Sequence, residues 1–498
     1  MNILDIIDNI KVKTIYGNLP ESVNNISQDS RKVGEGDVFV AIKGYTVDGH
    51  NYIEKVIEQG AALVIASRYE NYNVENCAVI VIKEHEIEKI ASMIAKKINE
   101  GSDVHTVAVT GTNGKTSIST LVHNMLRNLG ESSAYIGTNG FGKNDAEPVY
   151  FGNTTPDVVT LHNQIGELRR DDIKNLAFEA SSHAMALGRI YNVDIDVAIF
   201  TNLTHEHLDF HGDMQTYAYD KSLLFSTLGN NLSEAKYGVL NKDDSYYKVI
   251  SKCLYQQEIN YSIKDETADF YAYNIKQYKE DKVYKTSFTL NSPEGTFECT
   301  TNYIGDFMVS NVLAALIAVW VKGYSVEQLV AILPKLGALY GRMEILGDDL
   351  PIDIISDFAH TPDGYEKLLE ATREIRKGKR TLLVTGMGGG RDISKGPLIG
   401  EIISEADYVV ITTDSPRDED VEVLMGSIEK GMTHKNYEKV WFRTDAVKRI
   451  IELSEPGDVV ILASKGREDY EILQGGKKVW HSDPIVAVEE AKKKFNIK

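Results

Sequence analysis

The sequence predicts an α/β protein of about three domains, with parallel sheets covered by helices. Its 498 residues suit about three domains at the usual size of roughly 100–200 residues each. Between residues 102 and 338, short apolar runs alternate with helical patterns, which is typical of strand–helix–strand units. Three β-branched runs separated by helical patterns follow at residues 339–498, so we expect a second sheet of the same kind.

The N-terminal hundred residues form the smallest predicted domain. Residues 38–42 (VFVAI) and 60–67 (GAALVIAS) predict strands, and the amphipathic residues 51–59 between them predict a helix. The polar residues 99–103 (NEGSD) mark a boundary. We therefore expect domains at residues 1–101, 102–338 and 339–498.

The strongest local motif is TGTNGKT at residues 110–116. It joins an apolar run at residues 104–110 to a helical pattern at residues 118–129. Backbone N–H groups in such a turn, together with a helix N-terminus, bind phosphate oxygens. Lys115 is expected to reach the phosphates, and the Thr116 hydroxyl is expected to hold Mg²⁺. The spacing is unusual, because Val109 stands where the common phosphate loop has its first glycine.

Each β-branched run of the last domain leads directly into a polar or glycine-rich stretch. These stretches are GMGGGRD at residues 386–392, DSPR at residues 414–417 and SKGRE at residues 464–468. In an open parallel sheet, ligands bind beyond the carboxyl ends of the strands. We therefore expect the three stretches to share one ligand site.

The composition excludes several classes of partner. A net charge of −19 argues against nucleic acid or an anionic membrane surface as the main partner. The cysteines, Cys77, Cys253 and Cys299, have no metal-type spacing and predict reduced thiols. We see neither a signal peptide nor a run of about 18 apolar residues, so we expect a cytoplasmic protein without membrane insertion.

Candidate metal ligands follow two further predicted strands. Glu179 begins EASSH after one apolar run, and His207 lies in LTHEHLDFHG after another. Mg²⁺ prefers oxygen ligands, so a histidine ligand is unusual. The alternative is that His205, His207 and His211 are surface histidines.

In this order the motifs resemble those of the Mur ligase family, the ATP-dependent amide-forming enzymes of bacterial cell-wall precursor synthesis. The resemblance covers nearly the whole chain. It is carried by residues 29–31 (DSR), 110–116 (TGTNGKT), 153–157 (NTTPD), 179–183 (EASSH), 201–203 with 207–209 (TNL and HLD), 341–344 (GRME), 357–363 (DFAHTPD) and 386–392 (GMGGGRD).

The resemblance implies a fold and a reaction. The fold is a small N-terminal α/β UDP-binding domain, a central P-loop parallel-sheet ATPase domain and a C-terminal Rossmann-like domain that binds an amino acid. The reaction adds a diamino acid to UDP-N-acetylmuramoyl-L-alanyl-D-glutamate through an acyl phosphate, in peptidoglycan precursor synthesis. The resemblance also implies a monomer.

The resemblance assigns residues to two of the three reactants and to magnesium. Lys115, His207 and Lys221 are implied as catalytic, and Thr116, Glu179, His207 and Lys221 as Mg²⁺ ligands, with Lys221 carbamylated. Residues implied at ATP are Gly111, Thr112, Asn113, Gly114, Lys115, Thr116, Ser117, Asn311, Arg342, Asp357 and His360. Residues implied at the UDP-linked substrate are Ser30, Asn153, Thr154, Thr155, Ser181 and Arg189.

The identity of the amine is the open question. In this family an Asp-Asn-Pro-Arg pattern accompanies meso-diaminopimelate, and this chain has DSPR. Arg417 suits a distal carboxylate, so we expect meso-diaminopimelate. Residues implied at the amine are Arg391, Asp414, Ser415, Pro416, Arg417, Ser464 and Glu468.

Three alternatives compete with this expectation. L-lysine or another diamino acid is favoured by Ser415 and Ser464, which depart from the family pattern. A folate polyglutamylating ligase has no need of the N-terminal uridine module. A non-catalytic nucleotide-binding regulator has no reason to keep Lys115, Glu179, His207 and Lys221 together.

Overall fold

The protein is described by a computed structural model over residues 4–44, 47–150, 152–280 and 283–497. The chain forms two compact units. The first comprises Met1–Thr110, Gly130–Ala198 and Leu223–Lys236. The second comprises Gly111–Leu129, Ile199–Ser222 and Tyr237–Lys498. Over the residues described, no helix is long and apolar enough to cross a membrane.

Strands and helices alternate along most of the chain. The strands are β1 (Thr14–Tyr16), β2 (Ile26–Ser27), β3 (Val38–Val40), β4 (Leu63–Ala66), β5 (Ala78–Val81), β6 (His105–Thr110), β7 (Ser133–Gly137), β8 (Gly140–Lys143), β9 (Asn175–Glu179), β10 (Val197–Phe200), β11 (Tyr237–Asn241), β12 (Gln257–Ser262), β13 (Phe270–Glu280), β14 (Val283–Ser292), β15 (Gly295–Thr301), β16 (Glu344–Leu346), β17 (Asp353–Ser356), β18 (Thr381–Met387), β19 (Tyr408–Thr413), β20 (Tyr437–Lys439), β21 (Val459–Leu462), β22 (Tyr470–Ile472) and β23 (Lys478–Trp480). The helices are α1 (Leu4–Asn9), α2 (Ile53–Glu58), α3 (Ile87–Ile98), α4 (Lys115–Asn128), α5 (Val158–Arg170), α6 (Ser182–Ala186), α7 (Leu208–His211), α8 (Met214–Ser226), α9 (Tyr247–Ser251), α10 (Asp306–Trp320), α11 (Val326–Ile332), α12 (Pro362–Arg376), α13 (Gly396–Ile403), α14 (Val421–Glu429), α15 (Arg443–Leu453) and α16 (Asp483–Phe495).

The first unit contains a small N-terminal sheet with the strand order β1-β5-β4-β3-β2. Only β1 is antiparallel to its neighbour. Both faces are buried, since Val38 and Val40 pack in one core and Phe39 in another. Residues that alternate along a strand point to opposite faces, so the continuous apolar run at residues 38–40 is explained by a sheet covered on both sides. The same unit also contains β6, β9, β7 and β8, paired in that order.

The strands that follow in the second unit form a mixed sheet rather than the wholly parallel one predicted for residues 102–338. β11, β12 and β13 pair in parallel, whereas β14 and β15 pair antiparallel. The reason is local, because Pro293 and Glu294 alone separate β14 from β15. A connection that short joins antiparallel strands only. β7 and β8, in the first unit, are antiparallel for the same reason.

The C-terminal sheet has the order β16-β17-β21-β18-β19-β20. The three predicted strands, β18, β19 and β21, pair in parallel, so the three polar stretches that follow them lie at one edge, as predicted. Alternate residues again pack in separate cores: Leu383 in one, Leu382 and Val384 in the other. The three cysteines are free thiols, which agrees with the prediction of reduced cysteines.

Candidate active site

The loop between β6 and α4 requires glycine at two positions. Gly114 caps α4 with φ +89°, and a Cβ atom there would lie 2.7 Å from Asn311 Oδ1. Gly111 has φ +150°, and its Cβ would lie 1.8 Å from Thr201 Oγ1. Side chains are excluded at both positions, so the backbone stays open to a ligand at the start of α4. Ser117, in the first turn of α4, is buried.

Residues at the end of β10 and just after it hold the glycine loop through hydrogen bonds. The Asn113 N–H donates to Asn202 Oδ1 at 2.9 Å, and Thr201 Oγ1 donates to the Asn113 carbonyl at 2.6 Å. The Thr204 N–H donates to Thr112 Oγ1 at 2.9 Å. These bonds hold the loop in shape independently of any ligand.

Two lysines meet at the carbonyl of Gly111. Lys115 Nζ donates to it at 2.9 Å, and Lys221 Nζ donates to it at 2.7 Å. Lys221 is only 1% exposed and lies 4.7 Å from the centroid of the Tyr217 ring. Burial, and secondly the positive charge of Lys115, lowers the pKa of Lys221 far below its ordinary value. Burial thus disfavours the protonated form of Lys221.

Arg342 joins the loop from a distant part of the sequence. Its Nη2 donates to Thr116 Oγ1 at 3.0 Å, and its guanidinium lies 4.6 Å from the centroid of the Phe358 ring. The structure therefore brings together Thr116 and Arg342, two residues predicted to bind ATP that are 226 positions apart in the sequence.

Asp357 holds the turn that carries Arg342. It accepts hydrogen bonds from the N–H groups of Met343 and Ala359, both at 2.7 Å. Burial raises the pKa of Asp357, and the charge of Arg342 opposes that rise. Asp357 thus helps to position Arg342 through its hydrogen bond to the backbone of Met343, the next residue.

His360 lies beside the same turn and is uncharged at neutral pH. Its Nδ1 is 2.8 Å from the Phe358 carbonyl. Burial, and secondly the charge of Lys395, lowers the pKa of His360 to about 3. Close by in sequence, Asp363 accepts a 2.8 Å hydrogen bond from Asn113 Nδ2, a further contact between the loop and residues after 339.

The three histidines after β10 have different surroundings. His207 has φ +57° and caps α7, and its ring lies 6.3 Å from that of Tyr217. His211 is buried and lies 2.7 Å from Asp220 Oδ2. His205 is half exposed. Among the described residues, no group of three or more His, Cys, Asp or Glu side chains is arranged to hold a metal, so a metal here needs other ligands as well.

In the first unit, Thr155 connects the residues predicted to hold the UDP-linked substrate. Thr155 Oγ1 donates to the Glu179 carbonyl at 2.7 Å and lies 3.2 Å from Ser181 Oγ. Arg189 Nη1 donates to the Thr155 carbonyl at 3.0 Å. Ser181 also caps α6, because its side chain accepts from the Ala184 N–H. Three residues predicted at the UDP-linked substrate thus form one network with the backbone of Glu179, a predicted metal ligand.

The Glu179 carboxylate has its own partners in that unit. It accepts from the Thr138 N–H at 2.7 Å and from Thr138 Oγ1 at 3.2 Å. Thr154 Oγ1 lies 3.3 Å from Thr138 Oγ1. Ser30 is buried in the N-terminal sheet region and Asn153 is exposed; neither joins this network among the contacts described.

A cluster of charge follows the C-terminal strands. The fully buried Lys465 donates to Asp414 Oδ1 at 3.0 Å and lies 3.5 Å from Glu468 Oε2. Burial, and secondly the charge of Asp414, raises the pKa of Glu468, whereas Lys465 and, to a smaller extent, the charge of Arg391 oppose that rise. Two carboxylates and one ammonium leave the Asp414–Lys465–Glu468 cluster with a formal charge of −1. Lys465 was not predicted as a site residue, although it lies within the SKGRE motif.

Arg417, predicted at the amine, makes several contacts within the protein. Its Nη1 donates to the Gly389 carbonyl at 2.7 Å, and its own N–H donates to the Ile472 carbonyl at 2.9 Å. Ser415 Oγ accepts a hydrogen bond from the Ile472 N–H at 3.1 Å. The Pro416 carbonyl accepts one from the Glu419 N–H at 3.1 Å. DSPR is therefore bonded to the loop after β18 through Gly389 and to β22 through Ile472.

Behind these loops lies a buried ion pair that sequence reasoning missed. Arg443 and Asp483 are both 0% exposed and hydrogen bonded to each other. Arg443 Nη1 also donates to Ser464 Oγ at 3.2 Å, and Ser464 has φ +79°. The sequence alone does not distinguish a buried arginine from a surface arginine, so it offers no signal for the Arg443–Asp483 pair.

Three family models match the chain in sequence order. "Mur ligase family, catalytic domain" matches residues 22–101, "Mur ligase middle domain" matches residues 109–319, and "Mur ligase, glutamate ligase domain" matches residues 341–466.

Curated relatives match over nearly the whole length. A UDP-N-acetylmuramoyl-L-alanyl-D-glutamate--L-lysine ligase of Staphylococcus haemolyticus (strain JCSC1435) is 42% identical and is covered to 99%, as is this chain. The ligase of the same name from Staphylococcus aureus (strain MW2) is also 42% identical, over 98% of this chain and 97% of the relative.

Solved structures match as well. A structure of UDP-N-acetylmuramoyl-L-alanyl-D-glutamate--2,6-diaminopimelate ligase is similar with a TM-score of 0.66 and 28% identity, over 95% of both chains. MurF from Thermotoga maritima in complex with ADP is similar with a TM-score of 0.64 over 95% of this chain and 97% of that one. At 18% identity, the second likeness shows the three-domain fold alone.

Proposed function

The chain belongs to the Mur ligase family, the ATP-dependent amide ligases of peptidoglycan synthesis, and from this premise we propose that it joins L-lysine to UDP-N-acetylmuramoyl-L-alanyl-D-glutamate. The two L-lysine ligases are 42% identical to it over nearly their whole length, whereas the diaminopimelate ligase is 28% identical. The comparisons thus favour the L-lysine alternative over the meso-diaminopimelate expectation.

The observation that carries the ligase mechanism is the convergence of Lys115, Lys221 and Arg342 on one glycine loop. We propose that the N–H groups of the loop and the start of α4 bind the ATP phosphates. Lys115 and Arg342 place positive charge where a phosphate and a carboxylate, two anions, must approach each other. Phosphorylation then gives the carboxylate a good leaving group, and the amine displaces phosphate to form the amide.

Magnesium fits the oxygen donors beside this loop. Thr116 offers a hydroxyl oxygen. His207, in the segment after β10, offers a ring nitrogen instead. Lys221 fits as a carbamate, because its side chain is enclosed, lies 2.7 Å from the Gly111 carbonyl and then offers the oxygen that Mg²⁺ prefers. When bound, Mg²⁺ neutralises phosphate charge. The predicted role of Glu179, in the other unit, stays a prediction.

The amine site is proposed at the Asp414–Lys465–Glu468 cluster. Its formal charge of −1 complements the distal ammonium of L-lysine, and Arg391 complements the α-carboxylate. Arg417 Nη1 donates to the Gly389 carbonyl, so part of that guanidinium is engaged within the protein. The roles of Ser30, Asn153, Thr154, Thr155, Ser181 and Arg189, the cytoplasmic location and the monomeric state stay predictions.

The test is ADP and phosphate release from ATP and Mg²⁺ in the presence of the UDP-linked dipeptide. Parallel reactions contain L-lysine, L-ornithine, meso-diaminopimelate or no amine. Release that depends on L-lysine supports the proposal. Release with meso-diaminopimelate alone restores the first expectation, and no release with any amine favours the regulator.

A further inference from the structure

A buried ion pair joins two loops of the second unit that are far apart in sequence. Lys395 Nζ donates to both carboxylate oxygens of Glu206, at 3.1 and 3.2 Å. Each side chain is only 7% exposed, so water and salt screen the pair little. A second contact joins the same loops, because His205 Nε2 lies 3.7 Å from Asp392 Oδ2.

Each member of the pair adjoins residues proposed to contact reactants. Glu206 directly precedes His207, whose strained φ of +57° fixes the loop after β10. Lys395 lies four residues after Arg391 and immediately before α13. The charge of Lys395 also reaches the buried His360, whose pKa it helps to lower. The pair therefore joins residues 203–212, which we call the metal loop, to residues 386–396, which we call the amine loop.

The energetics of buried charge make this contact nearly all-or-none. Removing charges from water is costly, and the cost is recovered only while both partners are in place. If the loops separate slightly, Glu206 and Lys395 each lose a partner before water can replace it. We therefore expect the loops to be either held together by the pair or apart and hydrated.

We propose that Glu206 and Lys395 are a positioning pair that holds the amine loop against the metal loop while the acyl phosphate exists. The proposal rests on the proposed function, and it concerns two residues that touch neither ATP nor amine in that scheme. When the pair is intact, the acyl phosphate reacts with the amine rather than with water.

Loss of the pair exposes the acyl phosphate to hydrolysis. The oxygen of water then bonds to the acyl carbon, the bond from that carbon to the phosphate oxygen breaks, and phosphate leaves. The product is the original carboxylate, with protons released to solvent, so ATP is spent without an amide. The ratio of ADP formed to amide formed reports this directly.

The experiment compares wild type with Lys395→Met, Glu206→Gln and the double variant. For the single variants we expect the ADP-to-amide ratio to rise at least threefold from one, and KM for L-lysine to rise about tenfold. KM for ATP should stay within twofold. The double variant buries no lone charge, so its defect should be smaller than the product of the two single defects.

Lys439→Met is the matched control, because Lys439 is also paired with a carboxylate of the C-terminal domain but is partly exposed. It should leave the ratio at one. If the single variants do not fold, the double variant carries the test. A ratio of one and an unchanged KM for L-lysine in the folded variants overturn the proposal.

Hydrogen exchange separates this proposal from the function on which it rests. Residues 203–212 and 386–396 should exchange faster in both single variants and not in Lys439→Met, whether or not L-lysine is the substrate. Unchanged exchange in both segments contradicts the pairing role. Faster exchange in an enzyme that never uses L-lysine contradicts the proposed amine alone.

Discussion

Glu468→Gln removes one negative charge from the Asp414–Lys465–Glu468 cluster while keeping the shape of the side chain. The formal charge of the cluster changes from −1 to 0, so the attraction for the distal ammonium of L-lysine weakens. A hydrogen bond to a charged group contributes about 1.5–3 kcal/mol. Since about 1.4 kcal/mol is a factor of ten in affinity, the loss corresponds to roughly 10- to 100-fold.

The lower end of that range is expected, because the Glu468 side chain is 31% exposed and water screens part of the interaction. Steady-state kinetics should show KM for L-lysine raised about tenfold and KM for ATP unchanged. Glu455→Gln is the control, since that side chain is 75% exposed and outside the cluster. A KM for L-lysine within twofold of wild type in Glu468→Gln refutes the assignment of the distal ammonium to this cluster.

Three further predictions test other parts of the molecule. Gly114→Ala forces a left-handed residue at a cost of roughly 1–2 kcal/mol and pushes on Asn311, so calorimetry should show ATP binding at least tenfold weaker; normal binding contradicts the loop geometry. If Lys221 is carbamylated, activity should fall in carbon-dioxide-free buffer and return with bicarbonate, and Lys221→Arg should not respond; bicarbonate-independent activity refutes the carbamate. Burial lowers the pKa of His162 to about 4, below its unfolded value, so the unfolded chain takes up the proton first as pH falls through about 6.5. The free energy of unfolding should therefore drop by about 2 kcal/mol between pH 7 and pH 5 in urea titrations, beyond the drop in His162→Asn; equal drops would show that the histidine is not buried.

Local features of the site were predictable from the sequence. β6, the glycine loop and α4 follow one another along the chain, and their apolar pattern and Gly-Lys-Thr turn suffice to predict them. The shared edge of β18, β19 and β21 was also predictable, because parallel strands place their carboxyl ends together. The placement of both Thr116 and Arg342 at ATP came only from the family resemblance, since no local pattern links these two residues, and their contact was not predicted.

Other features depend on packing that the sequence does not express. The same residue type serves as a surface lysine elsewhere and as the buried partner of Asp414 at Lys465. Arg417 was assigned to a distal carboxylate because its type suits one, and nothing in the sequence shows that its Nη1 also donates to the Gly389 carbonyl. The antiparallel pairing of β14 and β15 followed from their two-residue connection rather than from hydrophobic pattern.

The measurement that tests the central claim most directly is a competition between amines. The protein is given ATP, Mg²⁺, the UDP-linked dipeptide and equal concentrations of L-lysine and meso-diaminopimelate, and the product is identified by mass spectrometry. The account predicts the lysyl product in large excess. A product that contains mainly diaminopimelate contradicts it.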